Sequence, residues 1–553
     1  MAAKLKIMAL GGLDEIGKNL YVYEYGRDIL VVDCGMGFPE EDMYGIDVVI
    51  ADTGYLTENK ARVRAVVLTH GHEDHIGGLP YLMRELSCPV YATGLTTGLV
   101  RLKLEEHGLA DKVKLITISA GDVFRAGCFS VEPIHVNHSI PDSVALAITC
   151  PVGTVIHTGD FKIDLTPVEG GIFDFARFAE LGKQGVLALL SDSTNVEKAG
   201  HSDSEKLVGS RFDQLFRGCD KRIIVTTFAS NVQRIQQVID CAARYGRKVA
   251  VTGRSMENVL QLAVTEGYMT VPKGTLVDMK KISQLPPELT TILTTGSQGE
   301  TMSALYRMAF AEHKQVKIGA GDRVIISASA IPGNEKTVTR VIDELFFKGA
   351  EVFYDRSMDI HVSGHACREE QKLMLALTRP RFFIPVHGEH RMLCRHAQLA
   401  IEEMGMAPNH VVIASTGEVM ELTAKSIRKN GTVPVGQVLV DGTDLNGVQS
   451  VVLRDRQHLA HDGMIVVILT VSSQDGNLVA EPEIISRGFV YMKENEELVE
   501  QLRRVVNETL TSCERQRIRD WAGIKGKVKS NLSGYLYKTT RSSPMILPVV
   551  MEV

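Results

Sequence analysis

The chain has 553 residues, of which 44% are apolar and 23% charged, and these values exclude wholesale disorder and predict two to four globular domains. A formal net charge of −6 argues against a general nucleic-acid coat protein, so a polyanionic substrate would need positive charge concentrated in a groove or supplied by metal. Nine scattered cysteines include no C-x-x-C pair and predict reduced thiols. Because Met1 to Asn19 contains no signal-peptide core and no apolar run is long enough to span a bilayer, we expect a cytoplasmic protein without a membrane partner.

The first 200 residues are predicted to form many short strands joined by tight loops. Several strands end in Gly, Asp or His, as strands do when they deliver side chains to one rim of a sheet. The predicted strands are Leu5–Leu10, Tyr21–Tyr25, Ile29–Asp33, Val63–Thr69, Val155–Thr158 and Leu187–Leu190.

From about residue 210 to 355, predicted strands alternate with predicted helices, which is typical of a parallel doubly wound sheet. The strands are Arg222–Phe228, Lys248–Thr252, Arg323–Ser329 and Glu351–Tyr354, and the helices are Val232–Tyr245, Met256–Glu266 and Glu335–Lys348. Two further predicted strands, Arg381–Val386 and His410–Ala414, are separated by a helix.

The C-terminal part is predicted to be a separate piece that follows a linker at residues 426–445. Its predicted elements are strands Gln449–Leu453 and Met464–Val471 and helix Glu496–Ser512. Between Cys513 and Arg541, eight Lys and Arg residues stand against two acidic ones, and this basic tail is either an RNA contact or a solvated face.

The strongest chemical signal is the segment Thr69-His70-Gly71-His72-Glu73-Asp74-His75, which follows an apolar strand. Three imidazoles and a carboxylate within six residues are too polar to be buried without a purpose. Both groups bind divalent metals, and a turn can direct His70 and His72 to one ion and Asp74 and His75 to another. The alternative is a polar surface turn.

Three further polar residues, His138, Asp160 and His387, come at the ends of predicted strands. His138 can complete the first metal site, and a carboxylate at Asp160 can bridge both ions. Each segment taken alone favours a structural role. Together, successive ligands at strand ends are what an αββα metallohydrolase requires.

The order His70-x-His72-x-Asp74-His75, His138 and Asp160 resembles the metallo-β-lactamase superfamily. The chain is also similar to its nucleic-acid branch, β-CASP, which has an acidic residue after a strand, a large insertion and two further histidines. The matching residues are Asp192, His365 in His361-Val362-Ser363-Gly364-His365, and His387, and the strand–helix region at 210–355 lies where the insertion belongs.

Within that branch the sequence resembles the ribonuclease J family over essentially the whole chain. It departs from the family pattern at Asp14, where Gly is expected, at Thr301, where Pro is expected, and in the loop His201-Ser202-Asp203. The segments that carry the resemblance are Gly11-Gly12-Leu13-Asp14-Glu15-Ile16-Gly17-Lys18-Asn19, Ser139-Ile140-Pro141-Asp142-Ser143, Thr158-Gly159-Asp160-Phe161-Lys162, Gly296-Ser297-Gln298-Gly299-Glu300, Pro332-Gly333-Asn334-Glu335 and Pro482–Val490.

The resemblance implies an α/β protein: an αββα metallo-β-lactamase sandwich with an inserted α/β β-CASP domain and a small α+β C-terminal domain. We expect the metallo-β-lactamase domain at residues 1–205 and 359–425, the β-CASP domain at 206–358, the linker at 426–445 and the C-terminal domain at 446–553.

The resemblance also implies two zinc ions per subunit, with Mn²⁺ or Mg²⁺ also supporting activity, and a hydroxide that attacks phosphorus in line. His365 would be the acid, or a phosphate stabiliser, at the leaving oxygen, and Asp192 would fix its tautomer. The alternatives are a structural turn for His365 and a cap for Asp192. The expected ligands are His70, His72 and His138 for one zinc, Asp74, His75 and His387 for the other, and Asp160 as the bridge, with Asp74 also counted as catalytic.

Ribonuclease J enzymes act 5′ to 3′ and prefer a 5′-monophosphate. The resemblance therefore implies such an exoribonuclease, with endonuclease activity, in RNA decay and in the maturation of rRNA and mRNA 5′ ends. Amides at a helix N-terminus suit a phosphate, although ordinary capping explains the same residues. The expected pocket comprises Ser230, Asn231, His361, Ser363, Gly364 and His365.

The expected partners are an RNA substrate, further copies of this chain in a homodimer or homotetramer built through the C-terminal domain, and an RNA-degradation complex or the ribosome. Three rival functions stay open. They are lactam or thioester hydrolysis, which has no use for the insertion or for His365, a DNA-directed β-CASP nuclease, and a catalytically silent RNA-binding subunit.

Overall fold

The structure is a computed structural model of the chain. Several residues named above lie outside its described part: Gln298, Gly299, Glu300, Thr301, Pro332, Gly333, Gln449 and Val490. The described residues are 4–40, 42–168, 170–282, 284–297, 303–330, 334–354, 358, 360–442, 448, 450–472, 478–489, 496–516, 518 and 520–553.

The chain divides into two compact units, each with its own core. The first runs to Phe38 and from Val48 to Val438, and the second consists of Pro39–Asp47 and Leu439–Val553. None of the helices in the described part of the chain has the length and hydropathy that a bilayer span requires.

The first unit begins with thirteen strands among its described residues, interrupted by short helices and one 3₁₀ turn (Lys60–Arg62). The strands are β1 (Leu5–Gly11), β2 (Leu20–Tyr25), β3 (Asp28–Val32), β4 (Met36–Gly37), β5 (Val48–Ala51), β6 (Val63–Val67), β7 (Val90–Ala92), β8 (Leu115–Thr117), β9 (Phe124–Ala126), β10 (Phe129–His135), β11 (Val144–Cys150), β12 (Gly153–His157) and β13 (Val186–Asp192). The helices are α1 (Gly54–Glu58), α2 (Glu73–Ile76), α3 (Leu79–Glu85), α4 (Gly94–Glu106) and α5 (Phe175–Gln184).

The inserted region continues this unit with a parallel sheet and flanking helices. Its elements are α6 (Glu205–Phe216), β14 (Arg222–Thr226), α7 (Val232–Arg244), β15 (Lys248–Thr252), α8 (Arg254–Thr265), α9 (Met279–Ile282), a 3₁₀ turn (Pro287–Leu289), β16 (Thr290–Thr294), α10 (Ala304–Ala309), β17 (Asp322–Ile326), α11 (Glu335–Phe347) and β18 (Glu351–Phe353). The unit ends with α12 (Arg368–Thr378), β19 (Phe382–Val386), α13 (His390–Gln398), a π-helical turn (Leu399–Glu403), a 3₁₀ turn (Pro408–His410), β20 (Glu418–Leu422) and β21 (Ile427–Thr432).

Two sheets stack face to face in the first unit, as the αββα prediction requires. One has the order β21-β20-β1-β2-β3-β6-β7-β8 and the other β19-β13-β12-β11-β10-β9. Alternate residues of each strand point to opposite faces. Ala65 and Val67 of β6 therefore join Ala188 and Leu190 of β13 in the core between the sheets, whereas Val66 packs in a different cluster.

The inserted region has the predicted parallel sheet, with the order β15-β16-β14-β17-β18 and parallel pairing throughout. The chain leaves the sandwich after β13 and returns to it in β19. These two strands are parallel neighbours, with Asp192 opposite Val386. The insertion therefore separates in sequence two strands whose carboxyl ends lie side by side.

The second unit contains a three-stranded sheet, β24-β23-β25, packed on two long helices. The elements that the structure describes after β21 are β22 (Gln437–Val440), α14 (Ser450–Asp462), β23 (Met464–Val471), β24 (Glu483–Arg487), α15 (Glu496–Arg515), α16 (Trp521–Thr540) and β25 (Met545–Glu552). Strand β23 and helix α15 confirm the predictions for Met464–Val471 and Glu496–Ser512.

Two sequence predictions of strands are wrong. The first is Gln449–Leu453, because Ser450–Asp462 is helical, and a short apolar run does not distinguish a helix from a strand. The second is His410–Ala414, where Pro408–His410 is a 3₁₀ turn and Val411 forms an isolated bridge to Phe383. Part of the predicted linker is β21, which pairs with β20 at the edge of the first sheet.

A buried ion pair connects α6 and α7 with the segment that returns to the sandwich. Arg234 Nη2 donates to Glu205 Oε1 at 2.7 Å, and both side chains are almost fully excluded from solvent. The same guanidinium donates to His361 Nδ1 at 2.8 Å and to the Val362 carbonyl oxygen. Because a buried charge without its partner is costly, this contact fixes both passages of the chain between the sandwich and the inserted sheet.

We expect Arg234→Met to lower the thermal unfolding midpoint strongly, because it leaves the Glu205 carboxylate buried and unpaired, at a cost of about 3–5 kcal/mol. Adding Glu205→Leu should recover most of that loss. Arg217→Met, which removes an exposed partner of Asp213, is the control and should change the midpoint little. Equal midpoints for wild type and Arg234→Met, by differential scanning calorimetry, would contradict the assignment.

Candidate metal centre

Strand ends of both sheets bring the predicted ligands together. The loop that follows β6 carries His70 and His72, and the short helix α2, which comes next, carries Asp74 and His75. In the second sheet, β10 and the parallel strands β12, β13 and β19 end just before or at the remaining polar residues. Those residues are His138, Asp160, Asp192 and His387.

Three histidines face one another in a first group. The Nδ1 atom of His72 lies 3.1 Å from His70 Nε2 and 3.1 Å from His138 Nε2. Asp160 Oδ2 completes the group at 3.6 Å from His70 Nε2 and 3.8 Å from His138 Nε2. The four side chains form one of three candidate ligand sets among the described residues.

A second group shares Asp160 with the first. His387 Nε2 lies 3.2 Å from Asp74 Oδ2 and 3.6 Å from Asp160 Oδ1. His75 Nε2 lies 3.3 Å from Asp160 Oδ2 and 3.5 Å from Asp74 Oδ2. Asp160 therefore lies between the two groups: its Oδ2 atom faces His75 as well as the first group, and its Oδ1 atom faces His387.

Each candidate ligand histidine has one ring nitrogen that faces away from the group, and this outer nitrogen has a polar neighbour. An N–H bonded to an outer acceptor leaves the other nitrogen with its lone pair directed inward, as metal ligation requires. The outer contacts are His70 Nδ1 with Thr69 Oγ1 (3.0 Å), His72 Nε2 with Ser139 Oγ (3.5 Å), His75 Nδ1 with Asp33 Oδ2 (2.8 Å), His138 Nδ1 with the Gly364 carbonyl oxygen (2.6 Å) and His387 Nδ1 with Thr194 Oγ1 (2.7 Å).

The pKa shifts of the histidines differ in direction between the two groups. Burial lowers the pKa of His72 to about 4 and lowers the pKa of His70 and His138 well below the ordinary value, so these rings are neutral at pH 7. For His75 and His387, burial also lowers the pKa, but neighbouring carboxylates, Asp160 first, outweigh it and raise the pKa. Metal binding at the second group is therefore coupled to release of protons.

The residues fit metal cations. Tetrahedral ligands at about 2.0–2.1 Å from zinc lie roughly 3.3 Å apart, close to the separations within both groups. Asp160 Oδ1 is buried without a hydrogen-bond partner among the described residues, although a buried carboxylate oxygen is costly to leave unpaired. Imidazole and carboxylate donors suit a divalent transition metal.

His365 and Asp192 form a contact beside the second group. His365 Nδ1 lies 2.8 Å from Asp192 Oδ2, and the His365 ring stacks on that of His387 with centroids 5.5 Å apart. Burial lowers the pKa of His365, but Asp192 and then Asp160 outweigh it and raise the pKa. His365 can therefore hold a proton near neutral pH while Asp192 stays ionised.

The residues expected to form a phosphate pocket are brought together only in part. His361, Ser363, Gly364 and His365 lie on one turn, and a Cβ atom added at Gly364 would lie 2.7 Å from His138 Cε1. Asn231 caps α7 by accepting from Arg234 N–H, and no hydrogen bond in the described part of the chain joins Ser230 or Asn231 to the turn. Arg234, in the first turn of α7, makes the connection through His361.

Sequence reasoning missed the residues that hold the ligands. Asp33 accepts hydrogen bonds from Thr69 and lies against His75, and Asn19 Nδ2 donates to the Asp74 carbonyl oxygen at 3.2 Å. Thr194 donates to the His387 carbonyl oxygen, which leaves its own oxygen to accept from the ring. A signal was available for Asp33, since a carboxylate ends the apolar strand Ile29–Asp33, and its φ of 61° is unusual for a residue other than glycine.

Four family models match the chain. They describe a metallo-β-lactamase superfamily domain at residues 13–195, a ribonuclease J β-CASP domain at 220–345, a Zn-dependent metallo-hydrolase RNA specificity domain at 356–414 and a ribonuclease J C-terminal domain at 451–553.

Relatives match along almost the whole chain. Ribonuclease J2 of Bacillus subtilis is 42% identical over 99% of this chain and 99% of its own length. Ribonuclease J of Synechocystis is 44% identical over 98% of this chain and 86% of its own length. A crystal structure of a protein of unknown function from Enterococcus faecalis has a similar fold, with a TM-score of 0.52 and 16% identity over 76% of this chain and all of that chain.

Three findings point to the same family. They are the geometry of the candidate ligand groups, the insertion between two neighbouring strands and the similarity over nearly the full length. The chain belongs to the ribonuclease J family of the metallo-β-lactamase superfamily, in its β-CASP branch.

Proposed function

We propose that this protein is a two-zinc ribonuclease that hydrolyses RNA from the 5′ end and prefers a 5′-monophosphate. One observation carries the proposal: two histidine and carboxylate groups share Asp160, and the pair of His365 and Asp192 lies against them. A phosphodiester is anionic and resists attack by water, so hydrolysis needs charge neutralisation and a proton donor at the same place.

Each proposed zinc would have its own ligands, and Asp160 would be a ligand of both. Zinc is favoured by the nitrogen-rich first group, and Mn²⁺ or Mg²⁺ would also support activity. When bound, the metal pair supplies Lewis acidity that lowers the pKa of water and offsets the charge of the phosphate. The ligands would be His70, His72 and His138 for the first ion and Asp74, His75 and His387 for the second.

His365 is the proposed proton donor to the leaving oxygen. Its Nδ1 hydrogen bond to Asp192 fixes the tautomer and leaves Nε2 for the substrate, and the buried carboxylate favours the protonated ring. Asp74 would contribute to catalysis as a ligand of the second ion beside His387, since its Oδ2 atom lies 3.2 Å from the His387 Nε2 atom.

The turn at His361–His365 is the proposed site for the 5′-phosphate, with Ser230 and Asn231 contributing backbone amides at the start of α7. A terminal phosphate held one nucleotide from the metals would place the first phosphodiester for attack, and the enzyme would then release mononucleotides. Internal cleavage would be a second mode of the same site. The corresponding cellular roles are RNA decay and 5′-end maturation of rRNA and mRNA in the cytoplasm.

The proposal includes domain boundaries at residues 205, 358 and 425. It also includes assembly of several copies of the chain through the C-terminal domain. The face of the second unit's sheet opposite α15 and α16 supports assembly into a homodimer or homotetramer. It carries Val466, Ile468 and Ile485, which are partly exposed, and Leu547 and Met551, which are each 50% exposed. An RNA-degradation complex or the ribosome remains the proposed larger partner.

His72→Ala should abolish RNA hydrolysis and lower the bound zinc, because the Nδ1 atom of His72 lies at the centre of the first group. A chelator should have the same effect, and added zinc should restore the wild type alone. His107→Ala, which removes a histidine outside all three ligand groups, should keep metal and activity. Full activity in metal-free protein, checked by elemental analysis, would overturn the two-metal proposal.

His365→Ala should lower kcat by roughly 10²- to 10⁴-fold, since it removes the proton donor. Bound zinc, measured by elemental analysis, should stay at the wild-type level. Asp192→Asn should lower kcat less and shift the alkaline limb of its pH profile to lower pH, because the amide no longer favours the protonated ring. A kcat within twofold of wild type for His365→Ala would remove this role.

RNAs of one sequence with a 5′-monophosphate, 5′-triphosphate or 5′-hydroxyl should be degraded at different rates. We expect the monophosphate to release mononucleotides fastest, because only that end fits the proposed phosphate site. A 2′-deoxy oligonucleotide of the same sequence tests the choice of RNA over DNA. Equal rates for the three RNA ends would exclude the phosphate site while leaving the nuclease proposal in place.

A further inference from the structure

The turn that carries Ser363 and His365 lies where the chain returns from the inserted sheet to the sandwich. One buried side chain, from the segment after β13 where the chain leaves the sandwich, holds this turn in place. Asn195 lies three residues after the end of β13 and is 4% exposed. Its Nδ2 atom donates to Ser363 Oγ at 2.7 Å and to the His365 carbonyl oxygen at 3.0 Å. One amide therefore fixes both the hydroxyl and the backbone of the turn.

The orientation of the Asn195 amide is set by its neighbours. Lys198 Nζ carries only hydrogens to donate, so the atom it contacts must be the amide oxygen. The His365 carbonyl can only accept, so the atom opposite it must be the amide nitrogen. Rotating the amide by half a turn would break both contacts, and the side chain therefore presents N–H to Ser363.

Ser363 Oγ accepts two hydrogen bonds. The first comes from Asn195 Nδ2, and the second comes from the backbone N–H of His365 at 3.3 Å. A hydroxyl has two lone pairs and one hydrogen, so both lone pairs are in use. No acceptor for its hydrogen is found in the described part of the chain, and the residue is half-buried, so this hydroxyl is set to donate.

We propose that Asn195 is a positioning residue that makes Ser363 a hydrogen-bond donor and thereby selects a phosphorylated RNA end over a hydroxyl end. This inference rests on the proposed function. An ionised phosphate oxygen only accepts, and its hydrogen bond from a neutral donor is stronger than the bond that a 5′-hydroxyl oxygen accepts. The preference for phosphate is then built into the hydrogen bonds of the turn.

Asn195→Asp tests the inference, because the side chain keeps its shape but can no longer donate. The Ser363 hydroxyl would turn to donate to the new carboxylate and would be lost to the substrate. The readout is the ratio of kcat/KM for 5′-monophosphate RNA to that for 5′-hydroxyl RNA. We expect the ratio to fall on the order of 10- to 100-fold, the loss of one hydrogen bond to a charged group.

Three companion variants separate positioning from general damage. Ser363→Ala should lower the ratio by a similar factor, and adding Asn195→Asp to it should lower the ratio no further, since both act through one hydroxyl. Asn195→Ala removes the donors without adding charge and serves if the carboxylate variant does not fold. The control is Asn531→Asp, since Asn531 Nδ2 donates to Thr509 Oγ1 at 2.9 Å in the second unit, and its ratio should equal that of wild type.

The outcomes distinguish this inference from the proposed function. If both Asn195 variants hydrolyse RNA and keep the wild-type ratio, the inference is overturned and the nuclease proposal stands. A fall in rate that is equal for both RNA ends would show that Asn195 is structural, which also overturns it. Wild-type protein that hydrolyses none of these RNAs would remove the proposed function and this inference together.

Discussion

The buried Asp160 carboxylate is the group on which the arrangement of the candidate metal centre depends. It is buried, its Oδ1 atom lacks a hydrogen-bond partner among the described residues, and it lies within 4 Å of His70, His75, His138 and His387. A buried anion is costly unless cations approach it. Both ligand groups are arranged around that requirement, and the raised pKa of His75 and His387 follows from it when no metal is bound.

The backbone satisfies the requirement by placing three parallel strands side by side. Strands β12, β13 and β19 end at one edge of the second sheet, so Asp160, Asp192 and His387 converge without long side chains. The insertion of the β14–β18 sheet between β13 and β19 leaves this edge intact. Where the chain returns from the inserted sheet, the His361–His365 turn lies beside the candidate ligands. There the Gly364 carbonyl oxygen accepts a hydrogen bond from His138 N–H.

A layer of polar residues behind the ligands decides which atoms face the centre. Asp33, Thr69 and Thr194 hold the outer nitrogens of three ligand histidines, and Asn195 holds the turn that carries His365. Hydrogen bonding on the outer side is what fixes a tautomer and the direction of a lone pair. The tautomers and orientations of the ligand histidines are therefore set partly by residues that lie outside the candidate ligand groups.

The sequence by itself predicts the fold class, the strand-end ligands and the family, because a dense histidine and carboxylate segment after an apolar strand has few structural uses. Tertiary structure alone decides that Asp33 and Thr194 support the ligands and that Pro39–Asp47 belongs to the second unit, since these contacts join residues far apart in the chain. It also decides that Ser450–Asp462 is a helix, because a short apolar run takes its conformation from its surroundings.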